Sequence, residues 1–242
     1  MRRWNVVAGV AHLIQGVAMI VLSTDVGLPV TATFATGQPG EAVSADRLEE
    51  LFTYPLGPAV AVFSLLSALF HFLVASPWGW PRYQRELRAG RNRFRWVEYS
   101  LSASWMVVLI AGITGVTDVA ALIALFGVNA AMILFGWLME TTNDPDASVD
   151  WTPFWFGCVA GAVPWIAVLI YLAGAGGSVP DFVYGIFVTL FLLFNCFAVN
   201  QWLQYRRRGR WADYLHGERA YIVLSLVAKS LLAWQIFANV LV

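Results

Sequence analysis

The chain has 242 residues, of which 59% are hydrophobic and 12% are charged, and its formal net charge is zero. Soluble domains carry about 25% charged residues, so this composition excludes an ordinary soluble protein and predicts an integral membrane protein. The cysteines, Cys158 and Cys196, lie in apolar runs without the spacing of a metal site or a disulfide framework.

Seven apolar segments are each long enough to cross a bilayer, which takes roughly 20 residues. They predict spans at residues 4–22, 55–76, 90–116, 119–140, 152–174, 180–205 and 219–241. The first segment could instead be a signal peptide, because "MRR" precedes it and "TATFA" resembles a cleavage site, although His12 and Gln15 interrupt its apolar run. We predict an all-α membrane protein that forms one seven-helix domain over residues 1–242.

The segment between the first two spans is the longest loop. Its stretch "LPVTATFATGQP" alternates β-branched residues around a Gly-Gln-Pro turn, which predicts a short β-hairpin. The following stretch "ADRLEELF" has the pattern of a brief interfacial helix. A hairpin followed by a short helix is therefore expected at this end of the molecule.

The basic residues are distributed very unevenly among the loops. Thirteen of the fifteen precede the first span or lie between spans two and three or six and seven, when the arginines at the very start of the third and seventh spans are included. The exceptions are Arg47, in the long first loop, and Lys229, inside the seventh span. The positive-inside rule then predicts a cytoplasmic N-terminus and an extracellular C-terminus. Glu140 is expected to end the fourth span at the cytoplasmic surface, and the arginine-rich loops could dock a cytoplasmic protein.

Lys229 is the only lysine of the chain and lies in the middle of the seventh span. An ionisable group at that depth costs about 2.5–3.5 kcal/mol on insertion scales, so it needs a reason. One reason is structural, a pair with a carboxylate that joins two helices. The other is chemical, because a desolvated lysine amine condenses readily with an aldehyde to form a Schiff base. Ser225, one turn earlier, shares the helix face of Lys229.

Glu98 is the best candidate partner for Lys229, since it lies within the third span and shares a face with Ser102 and Trp105. A carboxylate beside the nitrogen would favour its cationic form. The alternative is an interfacial Glu98 that pairs with Arg91 or Arg95.

Two further polar pairs lie within spans, His12 with Gln15 and Ser67 with His71. They indicate either a polar pocket or hydrogen-bonded packing, and their spacing does not predict a metal site. Several aromatic side chains within spans could enclose a flat conjugated ligand or simply pack in the core: Trp105, Trp165, Phe187, Phe191, Phe194 and Trp234. Pro164 is expected to kink the fifth span.

Four segments together resemble the heliorhodopsins, a family of retinal-binding rhodopsins. They are "RFRWVEYS" with Glu98, "SLVAKSLLAWQ" with Lys229, "HLIQG" with His12 and "SALFHF" with His71. The resemblance spans the whole chain. It implies an inverted membrane orientation, a small sheet in the extracellular first loop, a single glutamate counterion and a homodimer.

The resemblance also implies roles for individual residues. Lys229 would bind all-trans retinal as a protonated Schiff base with Glu98 as its counterion and Ser225 in the same cluster. His12, Gln15, Ser67 and His71 would line a polar pocket on the cytoplasmic side. The remaining residues implied to contact or border the chromophore site are Tyr99, Ser102, Asn129, Met132, Gly136, Pro164, Phe194, Gln201 and Trp234.

The function implied is a photoreceptor that regulates a cytoplasmic partner, without enzymatic activity or nucleic-acid binding. A proton pump needs a second carboxylate further along the third span, where this chain has the apolar run "VVLIAGI". A light-driven ion transporter or light-gated proton channel is the alternative. A small-solute carrier with a structural Lys229–Glu98 pair is a third possibility, but carriers often show repeated halves, and no repeat is evident.

Overall fold

The computed structural model describes residues 1–35, 37–38, 47–143 and 148–241. Within these ranges the chain forms eight α-helices, two β-strands and a short 3₁₀ helix at Gly209–Ala212. In chain order the elements are α1 (Arg2–Val21), β1 (Gly27–Thr33), β2 (Leu48–Pro55), α2 (Leu56–Ala75), α3 (Gly79–Arg88), α4 (Arg93–Ile113), α5 (Val119–Thr142), α6 (Thr152–Gly174), α7 (Asp181–Tyr205) and α8 (Tyr214–Val240).

In the described part of the chain, seven helices are long and apolar enough to cross a membrane, namely all except α3. This confirms the predicted fold class. The helix ends differ from the predicted spans because capping groups set them. Asn92 accepts a hydrogen bond from the Arg95 amide at 3.2 Å and so starts α4 at Arg93, and Asp213 caps α8 through the Leu215 amide at 2.9 Å.

The spanning helices run alternately, so the bundle has two distinct ends. The arginine-rich end consists of residues 1–3, 76–95, 141–143, 148–152 and 206–219. The hairpin end carries β1, β2 and the connections that follow α4 and α6.

The strands β1 and β2 form an antiparallel hairpin, in register from Gly27–Pro55 to Thr33–Leu48 with a bulge between Val30 and Thr31. The hairpin is confirmed, but the helix predicted for "ADRLEELF" is wrong over its described residues from Leu48, which are strand. Pairing with β1 satisfies their backbone groups, and a local pattern does not reveal such a distant partner. Residues 45–46 of that stretch and residue 39 of the predicted turn lie outside the described residues.

The hairpin is attached to the bundle where α4 turns into α5. The Thr31 amide donates to the Thr117 carbonyl at 2.9 Å, and the two threonine hydroxyls are 2.9 Å apart. Gly115 makes this connection possible, because its φ of 102° lets the Val116 amide bond back to the Ala111 carbonyl at 2.9 Å. The hairpin therefore rests on the end of α4.

The short helix α3, which the sequence interpretation did not predict, connects α2 to α4 at the arginine-rich end. Ser76 starts it by accepting a hydrogen bond from the Gly79 amide at 3.0 Å. Its Tyr83 is buried, lies edge-on to Phe94 and accepts a 3.4 Å hydrogen bond from Asn5. Burial raises the pKa of the Tyr83 hydroxyl, so the group stays neutral in this contact.

Helix α4 is the most buried of the spanning helices. Its Leu109 is fully enclosed together with Phe63 of α2 and Leu232 of α8. The outer faces of the bundle expose apolar side chains, as expected for a surface in contact with lipid, and Ile123 and Val159 are examples. The central position of α4 places its polar residues inside the protein, where they can meet those of α2 and α8.

Candidate functional site

Lys229 lies inside the bundle, with only 2% of its surface exposed. Its Nζ donates to Glu98 Oε1 at 2.8 Å and to Ser225 Oγ at 2.9 Å, and it lies 5.1 Å from the centre of the Tyr99 ring. The buried amine thus has one carboxylate, one hydroxyl and one aromatic face around it. The structure brings together the pair that the sequence interpretation favoured, and the adjacent Ser225 is in the expected place.

Glu98 is also buried and accepts a hydrogen bond from Ser67 Oγ at 2.6 Å, in addition to the bond from Lys229. Ser102, one turn further along α4, is fully buried, but its hydroxyl makes no hydrogen bond within the described structure. Glu98, which belongs to α4, therefore bonds to side chains of both α2 and α8. The alternative pairing of Glu98 with Arg95 is not seen, because the Arg95 side chain is engaged elsewhere.

Arg95 instead forms a second buried cluster, nearer the arginine-rich end. Its guanidinium pairs with Glu140 Oε1 at 2.5 Å and with Glu218. Asn92 and Trp96 donate to the same two carboxylates at 2.6 Å each. Glu140 lies in the last turn of α5, as expected for a residue that ends its span, and its side chain is buried in this cluster.

The polar residues of α1 contact two different groups of side chains. His12 stacks on His71 with the ring centroids 5.6 Å apart, and His71 Nδ1 lies 2.8 Å from Asn5 Oδ1. Gln15, by contrast, bonds across to α8: its Nε2 donates to the Lys229 carbonyl at 3.3 Å, and its Oε1 accepts from Ser230 at 2.6 Å.

Gln15 Nε2 also donates to Ser64 of α2 at 2.8 Å. The amide therefore connects α1, α2 and α8 at the level of the lysine. The sequence interpretation placed Gln15 and His12 in one polar pocket. In the structure His12 contacts His71, whereas Gln15 bonds to α2 and α8.

A cavity of about 330 Å³ lies against the lysine, between α4, α5, α6, α7 and α8. Its size falls in the range of small-molecule sites, about 300–1,000 Å³. Seven of the residues predicted for the site line it: Tyr99, Met132, Gly136, Phe194, Gln201, Ser225 and Lys229. Gln201 is held there by a 3.1 Å hydrogen bond to the Gly136 carbonyl.

The cavity is mostly aromatic, and several of its aromatic residues were not predicted. Trp165 lies edge-on to Phe191 and Phe194, with 5.4 Å between ring centroids in each pair. Trp165 and Phe191 had been noted only as possible ligand contacts. The lining residues missing from the predicted site include Trp96, Phe154, Phe197 and Tyr221 among the aromatic residues and Gly157, Gly161 and Ala198 among the small ones.

The small residues shape the cavity. A methyl group added at Gly136 would collide with the Trp96 ring, and one added at Gly161 would meet the Met132 sulfur at 2.6 Å. The four-residue spacing of Gly157 and Gly161 on α6 was the available sequence signal, since small residues at this spacing let neighbouring helices approach closely.

Other predicted residues lie away from the cavity. Asn129 is buried and donates to Ser104 at 3.1 Å, while Trp105 donates to the Ala59 carbonyl at 2.7 Å. Pro164 is buried within α6, which continues through it as helix. Trp234 is 44% exposed on the outer face of α8. The structure brings none of these four to the cavity wall.

This arrangement can hold a long, flat, conjugated aldehyde. A primary amine lies at one wall of the cavity, and aromatic rings and glycines line the rest, with few polar groups. The buried carboxylate beside the amine can stabilise a positive charge that remains on the nitrogen after condensation. The residues present therefore fit a covalently attached polyene.

Comparisons with known proteins agree with this geometry. The structure is similar to the crystal structure of a light-driven proton pump, LR (Mac), from Leptosphaeria maculans, with a TM-score of 0.68 at 14% sequence identity, covering 98% of this chain and 94% of that one. At this identity the similarity establishes the fold. A comparison with curated protein sequences gives no match. The family model described as heliorhodopsin matches residues 1–241, and the chain therefore belongs to the heliorhodopsin family.

Proposed function

We propose that this chain is a light-sensing receptor that binds all-trans retinal at Lys229 as a protonated Schiff base, with Glu98 as its counterion. Membership of a rhodopsin family implies a retinal chromophore. The linkage is supported above all by one observation: the buried Lys229 Nζ lies 2.8 Å from Glu98 and faces the aromatic cavity. When bound, retinal supplies absorption of visible light and isomerisation about a double bond.

Glu98 keeps the proton on the Lys229 nitrogen. A buried cation is unfavourable unless an opposite charge compensates it, and the 2.8 Å contact provides that charge. The Ser67 hydroxyl, 2.6 Å from the carboxylate, holds Glu98 in its ionised form. Any movement of the nitrogen away from Glu98 then weakens the hold on the proton, which couples a change of shape in the cavity to proton movement.

The cavity walls orient the ligand. Gly136 and Gly161 let the Trp96 ring and the Met132 side chain lie close against α5 and α6 at the cavity wall, and Trp165 and Phe194 offer ring faces and edges to a conjugated chain. Gln201 contributes a polar group to the cavity wall from α7. These contacts favour an extended ligand over a bulky one.

The proposed receptor does not pump ions. On α4, the segment between Glu98 and the hairpin end contains only neutral residues, and Leu109 is enclosed in the apolar core. The buried carboxylates Glu140 and Glu218 lie on the opposite side of Glu98 and are paired with Arg95. Within α4, therefore, no carboxylate lies on the hairpin side of Glu98 that could resupply a proton.

The uneven distribution of arginine supports a cytoplasmic location for the arginine-rich end, with the N-terminus on that side and the C-terminus outside. A structural change at Lys229 would then be read by a cytoplasmic partner. Family membership is the basis for proposing a homodimer. The proposed role is regulatory and not enzymatic.

The linkage is tested by adding all-trans retinal to the purified protein and recording the visible spectrum. Lys229→Arg is the informative variant, because arginine keeps the positive charge beside Glu98 but cannot form the imine. We expect a visible band in the wild type and none in Lys229→Arg, with the thermal unfolding midpoint little changed. Reduction by borohydride under illumination should add the mass of the chromophore at residue 229.

A band of equal strength in Lys229→Arg would refute the linkage, and absence of added mass at residue 229 in the wild type would refute it independently. The regulatory role is tested separately by illuminating vesicles that contain the pigment. A sustained light-driven current or pH change would favour the alternative, an ion transporter or light-gated proton channel.

A further inference from the structure

The connection between α2 and α4 carries a concentrated positive charge on a rigid support. Helix α3 has its apolar residues on one side, where Tyr83 is buried against the bundle, and its arginines on the other. Arg82, Arg85 and Arg88 recur every three residues and therefore lie towards one side of the helix, where Arg85 and Arg88 are exposed and Arg82 is half-buried. Arg91 follows directly after α3 and is also exposed. We call these four residues the α3 patch.

The support of the patch is fixed by contacts on both sides. Arg2 of α1 donates to the Ala75 carbonyl at 2.9 Å, just before α3 begins. Glu86 forms an ion pair with Arg93 at 3.2 Å, which joins α3 to the first turn of α4. The helix therefore presents its charges in a defined geometry.

Three charges of the patch are not used within the molecule. Arg82 stacks on Trp78 at 4.1 Å from the ring centroid and donates to its carbonyl at 2.8 Å. The guanidinium groups of Arg85, Arg88 and Arg91, in contrast, make no hydrogen bond or ion pair with any residue that the structure describes. Three clustered cations without internal partners indicate an external anionic ligand.

The position of the patch indicates which anion. Only three residues separate the end of α2 from α3, and α4 begins soon after α3, so the patch lies at the level where two spans leave the bilayer. Trp78 is 58% exposed beside it, and tryptophan side chains favour the headgroup region of a membrane. An amphipathic helix with arginines and a tryptophan at this depth has the composition of a lipid-surface element.

We propose that the α3 patch is a binding site for anionic phospholipid headgroups, with Arg85, Arg88 and Arg91 contacting the phosphates. Arg82 holds Trp78 at the headgroup level, and α3 lies flat on the membrane surface. The proposal concerns a lipid and a surface of the chain that is separate from the cavity, so it does not depend on retinal binding or on the orientation of the protein.

The expected effect follows from the charge. Each basic residue near an anionic membrane surface contributes about 1 kcal/mol, which corresponds to about a fivefold change in affinity. Neutralising three arginines should therefore reduce the preference for an anionic lipid on the order of a hundredfold if the contributions add. Raised ionic strength should weaken the same preference.

The test compares lipid retention by native mass spectrometry of the full-length protein in detergent, titrated with phosphatidylglycerol or phosphatidylcholine of identical acyl chains. The test variant is Arg85→Gln/Arg88→Gln/Arg91→Gln. The control variant is Arg47→Gln/Arg208→Gln/Arg210→Gln, which changes the net charge equally but leaves the patch intact. Circular dichroism and the thermal unfolding midpoint show that both variants are folded, whether or not retinal binds.

We expect the wild type and the control to retain phosphatidylglycerol in preference to phosphatidylcholine, and the test variant to lose this preference. Equal losses in both variants would assign the effect to net charge and overturn the site. Unchanged retention in the folded test variant would also overturn it. Binding of a polyglutamate peptide to the patch without phosphatidylglycerol preference would replace the lipid with an acidic protein partner.

Discussion

Replacing Glu98 by Gln removes the only carboxylate within hydrogen-bonding distance of Lys229 Nζ among the described residues, while it keeps the size of the side chain. In the pigment, the positive charge on the nitrogen then lacks its compensating charge. The proton is held less tightly, so the visible band should disappear at lower pH than in the wild type. The band of the protonated form should also move to longer wavelength, because the counterion no longer localises the positive charge at the nitrogen.

The size of the effect follows from the contact. Removing one partner of a buried ion pair costs about 3–5 kcal/mol. At about 1.36 kcal/mol per pH unit, the midpoint at which the band is lost should fall by roughly 2–3.5 pH units. Coulomb's law gives a compatible value, about 6 kcal/mol for charges 2.8 Å apart at an effective dielectric constant near 20, from which the remaining dipole of the amide subtracts.

The assay is a spectrophotometric pH titration of the purified pigment in the dark, in buffer without halide so that no small anion replaces the carboxylate. Glu98→Asp is the control, since it keeps the charge and should shift the midpoint much less. A Glu98→Gln midpoint that equals the wild-type value would refute the argument and assign the counterion to another group. Ser67→Ala should lie between the two, because it removes one hydrogen bond to Glu98 but no charge.

Three other substitutions test separate parts of the structure. Gly136→Ala should lower the thermal unfolding midpoint and slow pigment formation, because the new methyl group collides with Trp96, at a cost of about 1–3 kcal/mol; Gly127→Ala on the same helix meets open space and should do neither. Arg95→Gln should destabilise the protein by about 3–5 kcal/mol in detergent unfolding, since it leaves two buried carboxylates unpaired, and a change below about 1 kcal/mol would contradict the cluster. His71→Phe should change photocycle rates in flash photolysis more than pigment yield, and unchanged rates would assign His71 to packing.

The seven spans and the Lys229–Glu98 pair could be predicted from the sequence, for two physical reasons. Apolar runs of about 20 residues have few alternatives to a membrane helix. A lone amine in the middle of such a run needs an acid, and Glu98 was the most suitable acid within the spans. The hairpin was also predictable in kind, although its second strand was mistaken for a helix because strand pairing is not local.

The Arg95 cluster and the far wall of the cavity could not be predicted in this way. Arg95 looked like a partner for Glu98, three residues away, yet Glu140 and Glu218 reach it from α5 and α8. Whether these two carboxylates reach Arg95 depends on how the helices pack, and the positions of the spans along the sequence do not reveal that packing. The cavity wall formed by Phe197 and Tyr221 depends on the rotation of α7 and α8, and spacing along the chain does not define that rotation.

The side-chain amide of Gln15 links α1 directly to α8, the seventh spanning helix. It bonds to the main-chain carbonyl of Lys229 and to the hydroxyl of Ser230, so a displacement of the α8 backbone at Lys229 would disturb these two contacts with α1. The opposite end of α1 holds Arg2 against the last turn of α2, beside α3. In the proposed pigment, α1 therefore connects the residue that would carry the chromophore with the arginine-rich end of the bundle.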